Sequence, residues 1–299
     1  MTGKGGVGKT TVALALGIEA ARAGKRTIVC EVAAQESAAR MFGHRDVGFS
    51  EAKLRENLYA ISIDPDASMR EYLELQLPVK AMGDLLYRSK IFSYLAAATP
   101  GLREMVTIGK IWELALEQRK TRSAEPYDLV IVDAPATGHG IGLMQSPKTF
   151  AEIAKVGPMA NQASMINRTI TNHKRAGVVI VALPEEMPVN ESATLEAELI
   201  DKVGIAVDRV YMNALYPERF DDEEAARIEA ALAAAPAPVR PALSAGLDER
   251  RRCLAHREQL ARLRELVRTE VSELPFVFTP RIGIAELEHL ADGIGKGGG

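Results

Sequence analysis

The chain opens MTGKGGVGKTT, and Gly3-Lys4-Gly5-Gly6-Val7-Gly8-Lys9-Thr10 fits the pattern GxxxxGK[ST]. Glycines at these places let the backbone curl so that successive N–H groups point inward at phosphate oxygens. Helical periodicity starts at once in KTTVALALGIEAARAG, so a helix N-terminus adds its positive end to the cradle. Lys9 would reach the β- and γ-phosphates of ATP, and the Thr10 hydroxyl would hold Mg2+. Thr11 follows in the first helical turn and completes the nucleotide-binding segment.

Such a loop hangs from the end of a buried strand, and the rest of the chain supplies matching strands. KRTIVCEV (25–32), LYAISID (58–64), the start of YDLVIVDAPATGHG (127–140), AGVVIVALP (176–184), VDRVYMNAL (207–215) and LPFVF (274–278) are apolar without polar alternation. Strands of this kind are buried on both faces, and helical segments alternate with them. The expected fold is α/β, a mostly parallel sheet flanked by helices on both faces, in a single P-loop NTPase domain over 1–299. Helices are expected over 146–175 with a break at Gly157-Pro158, and over 190–203, 221–235, 246–272 and 283–295, with PAPVRP (236–241) as a linker. Residues 66–125 read as a strand-free helical insertion, and the tail GIGKGGG as disordered, at least over 296–299. In front of the loop only Met1-Thr2 stand where a central strand of roughly half a dozen residues is needed. The natural protein is therefore expected to begin upstream.

Gly3, Gly5 and Gly8 also satisfy GxGxxG, the dinucleotide fingerprint, with Glu31 ending the next strand where a ribose-binding acid would sit. The Lys9-Thr10 pair argues against that reading, because a dinucleotide turn has no use for an ammonium and a metal-binding hydroxyl. Asp133 ends the apolar run VIVDAP, where a P-loop protein keeps the carboxylate that orders Mg2+ through water. A helix-capping role is the alternative for Asp133. The net charge of −3 and an aromatic content of 5% favour neither nucleic acid nor an anionic membrane. No apolar run approaches the ~20 residues of a spanning helix, and Cys30 and Cys253 form no CxxC, so a reducing cytoplasm fits. Cys253 and His256 lie three apart on one helix with no further ligands nearby, so a metal site there is not expected. The acidic positions Glu286, Glu288 and Asp292 suit docking of the last helix on the sheet better than on a membrane.

Lys4 gives the loop a lysine near its start as well as at its end, and KGGVGKT resembles the deviant Walker A of the class containing MinD, ParA, nitrogenase iron protein and ArsA. DAPATGHGIGLM narrows this to the ArsA family, whose switch II segment it resembles at Pro135, Thr137, Gly138 and His139. Asn213 in VYMNALYPE matches the family's strand-end asparagine on adenine, and PRIGIAELEHLA resembles the last loop and helix that close over the base. The chain looks like the bacterial subgroup without a fused second copy.

The resemblance implies a Mg-ATP-dependent ATPase that dimerises and couples nucleotide state to a client or partner protein. It also implies that Lys4 reaches the partner subunit's phosphates. Three departures qualify this. The switch I Asp that positions the attacking water falls on Ala33, with Glu31 or Glu36 as substitutes. The alternative is thus a catalytically impaired subunit of a heterodimer with an active paralogue. The arsenite-binding cysteines and the dimer-linking CxxC have no counterpart. The hydrophobic residues of the insertion (Met69, Leu73, Leu77, Met82, Leu85, Leu86, Ile91, Phe92, Leu95) fit plain core better than a client groove.

Overall fold

A computed structural model describes residues 1–32, 37–43, 48–76, 89, 99–121, 124–154 and 157–296. After the loop, α1 (Lys9–Arg22) ends in a turn at Gly24, whose φ is 81°, and β1 (Thr27–Val32) runs back beneath it. Both faces of β1 are apolar because both are covered. Val29 packs with Leu58 and Ile131 under α1, while Ile28 and Cys30 pack with Ile61 and Ile63 on the far side. β3 (Leu58–Ile63) and β4 (Leu129–Asp133) flank β1 in parallel, with Thr27 opposite both Leu58 and Leu129. β2 (Ala52–Arg55) adds an antiparallel edge to β3.

A second sheet of parallel strands holds β5 (Val178–Ala182), β6 (Val207–Leu215) and β7 (Val271–Pro275), in the order β5-β6-β7. The first sheet has the order β2-β3-β1-β4. Met1-Thr2 lie between β4 and β5 and join the two. Ala134 N donates to Met1 O at 3.1 Å, Thr2 N to Val179 O at 2.9 Å, and Val181 N to Thr2 O at 3.0 Å. Residues 1–2 therefore occupy the central position at which the sequence places a first strand. Among the described residues, no other backbone fills the space between these two edges.

The remaining helices are α2 (Ser37–Met41), α3 (Pro65–Gln76), α4 (Leu102–Leu114), α5 (Thr137–Ala154), α6 (Pro158–Ile170), α7 (Glu186–Ala197), α8 (Asp222–Ala234), α9 (Arg240–Leu266) and α10 (Ile284–Lys296). A π-helical turn, Glu198–Val203, extends α7. α1 and α10 cover one face through Leu14, Ile18, Leu287 and Leu290. Leu114 of α4, Leu195 of α7 and Leu260 and Leu263 of α9 cover the other. The result is the expected three-layer α/β architecture.

Several local expectations need correction. β2 does not stand out in the sequence because AKLR is only four residues long, with Lys53 exposed and the other three half-buried. The segment TGHG forms the first turn of α5, where Gly140 lies tightly against Pro135 O and the Thr2 hydroxyl. α9 starts at Arg240 rather than 246, with Pro241 in its first turn, where a missing N–H costs nothing. The last strand is VSELP rather than LPFVF, because Val271 and Leu274 are the residues that bury. Gly293 to Lys296 belong to α10, and Ile294 is buried, so the expected disorder does not begin there; residues 297–299 lie outside the described set.

Within 66–125 the described residues form α3 and α4 and no strand. Met69 and Leu73 are core, packed with Leu102 and Val106. Leu77, Met82, Leu85, Leu86, Ile91, Phe92 and Leu95 lie outside the described residues. Glu288 and Asp292 pair with Arg22, and Glu288 also with Arg55, so the acidic stripe of α10 is directed at α1 and β2. No helix of the described residues is long and apolar enough to cross a membrane.

α4 is fixed to the sheet by charge as well as by apolar packing. The Arg119 side chain is fully buried between Glu51, at 2.7 Å, and Glu113, at 2.9 Å. Tyr127 donates its hydroxyl to Glu51 at 2.7 Å, and Lys110 joins Glu113 to Glu71 of α3.

Candidate nucleotide site

α1 begins at Gly8, which has φ 92°, with no side-chain cap and no acid in the first turn. Its leading amides are therefore unclaimed by the chain's own side chains, which is the condition for binding an anion there. Gly3 (φ 145°) and Gly6 (φ 82°) turn the loop, and Val7 is buried beneath it. Gly5 and Gly6 are exposed. A side chain at Gly3 would collide with Val181 O, and one at Gly8 with the Asn213 amide. Gly8→Ala combines that collision with a left-handed backbone costing about 1–2 kcal/mol. The expected result is an ATP Kd raised at least about tenfold in a fluorescent-nucleotide titration.

Lys9 curls back into the loop, its Nζ donating to Gly3 O at 3.2 Å and Lys4 O at 2.8 Å. Burial lowers its pKa from the ordinary lysine value, and the Asp133 carboxylate opposes that shift. Thr10 Oγ1 donates to Asp133 Oδ2 at 2.5 Å, so the loop's hydroxyl and the strand-end carboxylate converge on one point. The Asp133 pKa is raised by burial, against the Thr10 hydrogen bond and the Lys9 charge.

Glu31 stands opposite Asp133 in the β1–β4 register and is fully buried. Its Oε1 accepts from the backbone N–H of Ser37 and of Ala38, at 2.9 and 3.1 Å. Its Oε2 is buried without a hydrogen-bond partner among the described residues. Burial pushes its pKa up to about 7, with those two amides pulling the other way. The carboxyl group thus lies on the strand next to Asp133 and is engaged with the first amides of α2. Its register partner, Asp133, could be read from the sequence only as another strand end.

Asn213 Nδ2 donates to Val7 O at 2.9 Å, which places it against the loop. It gets there through a register shift between Met212 and Leu215 and an Ala214 with φ 62°. Pro135 is half-buried, and Gly138 and His139 are exposed in the first turn of α5, where His139 N donates to Ala136 O. The Thr137 side chain, Ala33 and Glu36 lie outside the described residues. Thr11 is half-buried in α1. Cys253 and His256 are occupied with the backbone of Tyr216, and no group of three His, Cys, Asp or Glu poised for a metal occurs among the described residues.

A Mg2+ ion takes hard oxygen ligands and usually binds through one or two protein groups plus substrate phosphates. Thr10 Oγ1 and Asp133 are donors of that kind and fit such an ion.

An amide cradle on a helix N-terminus, facing a strand-end carboxylate in a parallel sheet, defines a P-loop nucleotide-binding protein. The family model described as anion-transporting ATPase matches residues 1–156 and 148–234. The chain belongs to this family, and it is an ATP-hydrolysing enzyme. ATPase BagA of Mycobacterium tuberculosis is 29% identical over 233 residues, covering 76% of this chain and 67% of that protein. ATPase GET3 of Kluyveromyces lactis is 26% identical over 261 residues, covering 75% and 74%. That of Chaetomium globosum is 32% identical over 164 residues, covering 54% and 46%.

Proposed function

We propose that the chain is a Mg-ATP-dependent, dimerising ATPase that couples its nucleotide state to a client or partner protein. The convergence of Thr10 and Asp133 at the mouth of the loop carries this reading. Gly3 through Thr11 hold the phosphates, with Lys9 as their counter-charge. A bound Mg2+ would supply neutralising charge at the phosphates. Thr10 would ligate it directly and Asp133 through water. Glu31, with one oxygen free beside Asp133, orients the attacking water in place of the switch I aspartate. Asn213 contacts the base, and Lys4 reaches the second subunit's phosphates.

Pro135, Thr137, Gly138 and His139 link Asp133 directly to α5, and α5 packs on α4 and α6. A change at the γ-phosphate thus has a short route to the helices of residues 66–125, the surface proposed to meet a hydrophobic client. The setting proposed is the cytoplasm, with no nucleic acid and no stable membrane insertion. Asp133→Asn is expected to remove Mg2+-dependent phosphate release while leaving the melting temperature within a few degrees. A variant that keeps normal Mg2+ dependence would sink the assignment. The alternative, a heterodimer with an active paralogue, rests on Ala33. Turnover by the purified chain alone, against turnover in a mixture with the paralogue, separates the two.

A further inference from the structure

Both lysines of the loop are engaged within the chain. Lys9 is held by two loop carbonyls, and Lys4 Nζ meets Glu191 Oε1 at 3.1 Å. The side chains of that pair are 34% and 38% exposed, so a docking body can reach them. Glu191 stands on α7, which buries Val189 and Leu195 and whose Asn190 is bonded by Arg262 of α9 at 2.8 Å. The carboxylate is therefore set by a packed helix, and the long lysine stem comes to it. One turn earlier on the same stripe of α7, Met187 is 63% exposed. Lys4, Glu191 and Met187 form one patch beside the phosphate loop, an apolar residue next to an ion pair.

The Lys4 ammonium cannot rest on Glu191 and neutralise a phosphate of another subunit at once. We propose that Glu191 is a counter-ion in cis that holds Lys4 back until a second copy of this chain docks on this patch and draws the lysine to its nucleotide. The proposal rests on the reading of Lys4 as a residue that acts across a dimer. An exposed ion pair is weak, so the contact biases the equilibrium and does not block it. Its sign is definite. Removing the carboxylate frees Lys4 and favours the dimer, whereas a glutamate that oriented Lys4 productively would have the opposite effect.

The test is sedimentation velocity with Mg2+ and a non-hydrolysable ATP analogue, on the wild type, Glu191→Gln, Lys4→Ala and the double variant. Glu191→Gln is expected to lower the dimer Kd roughly two- to fivefold, with a smaller gain at high salt. Lys4→Ala is expected to weaken the dimer, and in that background Glu191→Gln changes nothing. A Glu191→Gln dimer no tighter than wild type, with Lys4→Ala still weakened, removes the counter-ion role alone. An equal gain in the Lys4→Ala background also removes it. If Lys4→Ala associates like the wild type, or every form stays monomeric, the dimer reading fails and takes this proposal with it.

Discussion

Lys9→Ala is expected to lower the rate of ATP hydrolysis by roughly 10²–10³-fold or more, with the fold intact. The ammonium sits in a half-buried site where its present partners are two neutral carbonyls. Phosphate oxygens would replace them with bonds in which donor and acceptor are both charged. In a transition state that spreads negative charge over the γ-oxygens, the loss is larger still, because no other cation is held inside the loop among the described residues. Single-turnover phosphate release, with circular dichroism melting as the fold control, reads the result. Activity within tenfold of wild type would show that the ammonium is not where the charge develops.

Arg119→Leu is expected to destabilise the fold by about 3–5 kcal/mol. The substitution removes a guanidinium shared by Glu51 and Glu113 and leaves both carboxylates without it. Burial is the largest single influence and would raise the pKa of each glutamate, but the hydrogen bonds and charge of Arg119, together with the charge of Lys110, the Tyr127 hydroxyl on Glu51 and the Thr121 amide on Glu113, hold both below the ordinary glutamate value. A folded pKa below the unfolded one contributes stability that is present above about pH 4.3 and lost as the pH falls through the folded value. Wild type should therefore weaken on acidification below about pH 4. In Arg119→Leu both pKa values move up and that contribution shrinks, so the variant should lose less further stability on acidification than wild type. Urea titrations above and below about pH 4 check it; equal losses in both proteins would refute the network as the cause.

The loop, Asp133 and the parallel strands were legible because each is written in consecutive residues. Buried parallel strands are apolar runs, and a phosphate cradle is a glycine spacing. Long-range assembly was not legible. Nothing in the spacing of Glu51, Glu113, Arg119 and Tyr127 brings them together; only the return of the chain to β4 does. Glu31 could be named as a strand-end acid, but its partnership with Asp133 depends on strand order, which composition does not encode. Asn213 was reachable only by resemblance, since its approach to Val7 needs an Ala214 in a conformation that alanine rarely adopts. The start of α5 was hidden by its glycines, of which Gly140 serves close packing while Gly138 and Gly142 have open space around them.

The phosphate loop grips strands on both sides of it. Thr10 is tied to Asp133 of the first sheet, while Gly3 lies on Val181 and Val7 is bonded to Asn213 of the second. The loop is thus a clasp between β4 on one side and β5 and β6 on the other. A ligand that tightens it strengthens both attachments, so its binding free energy and the resistance of these strands to separation are linked quantities.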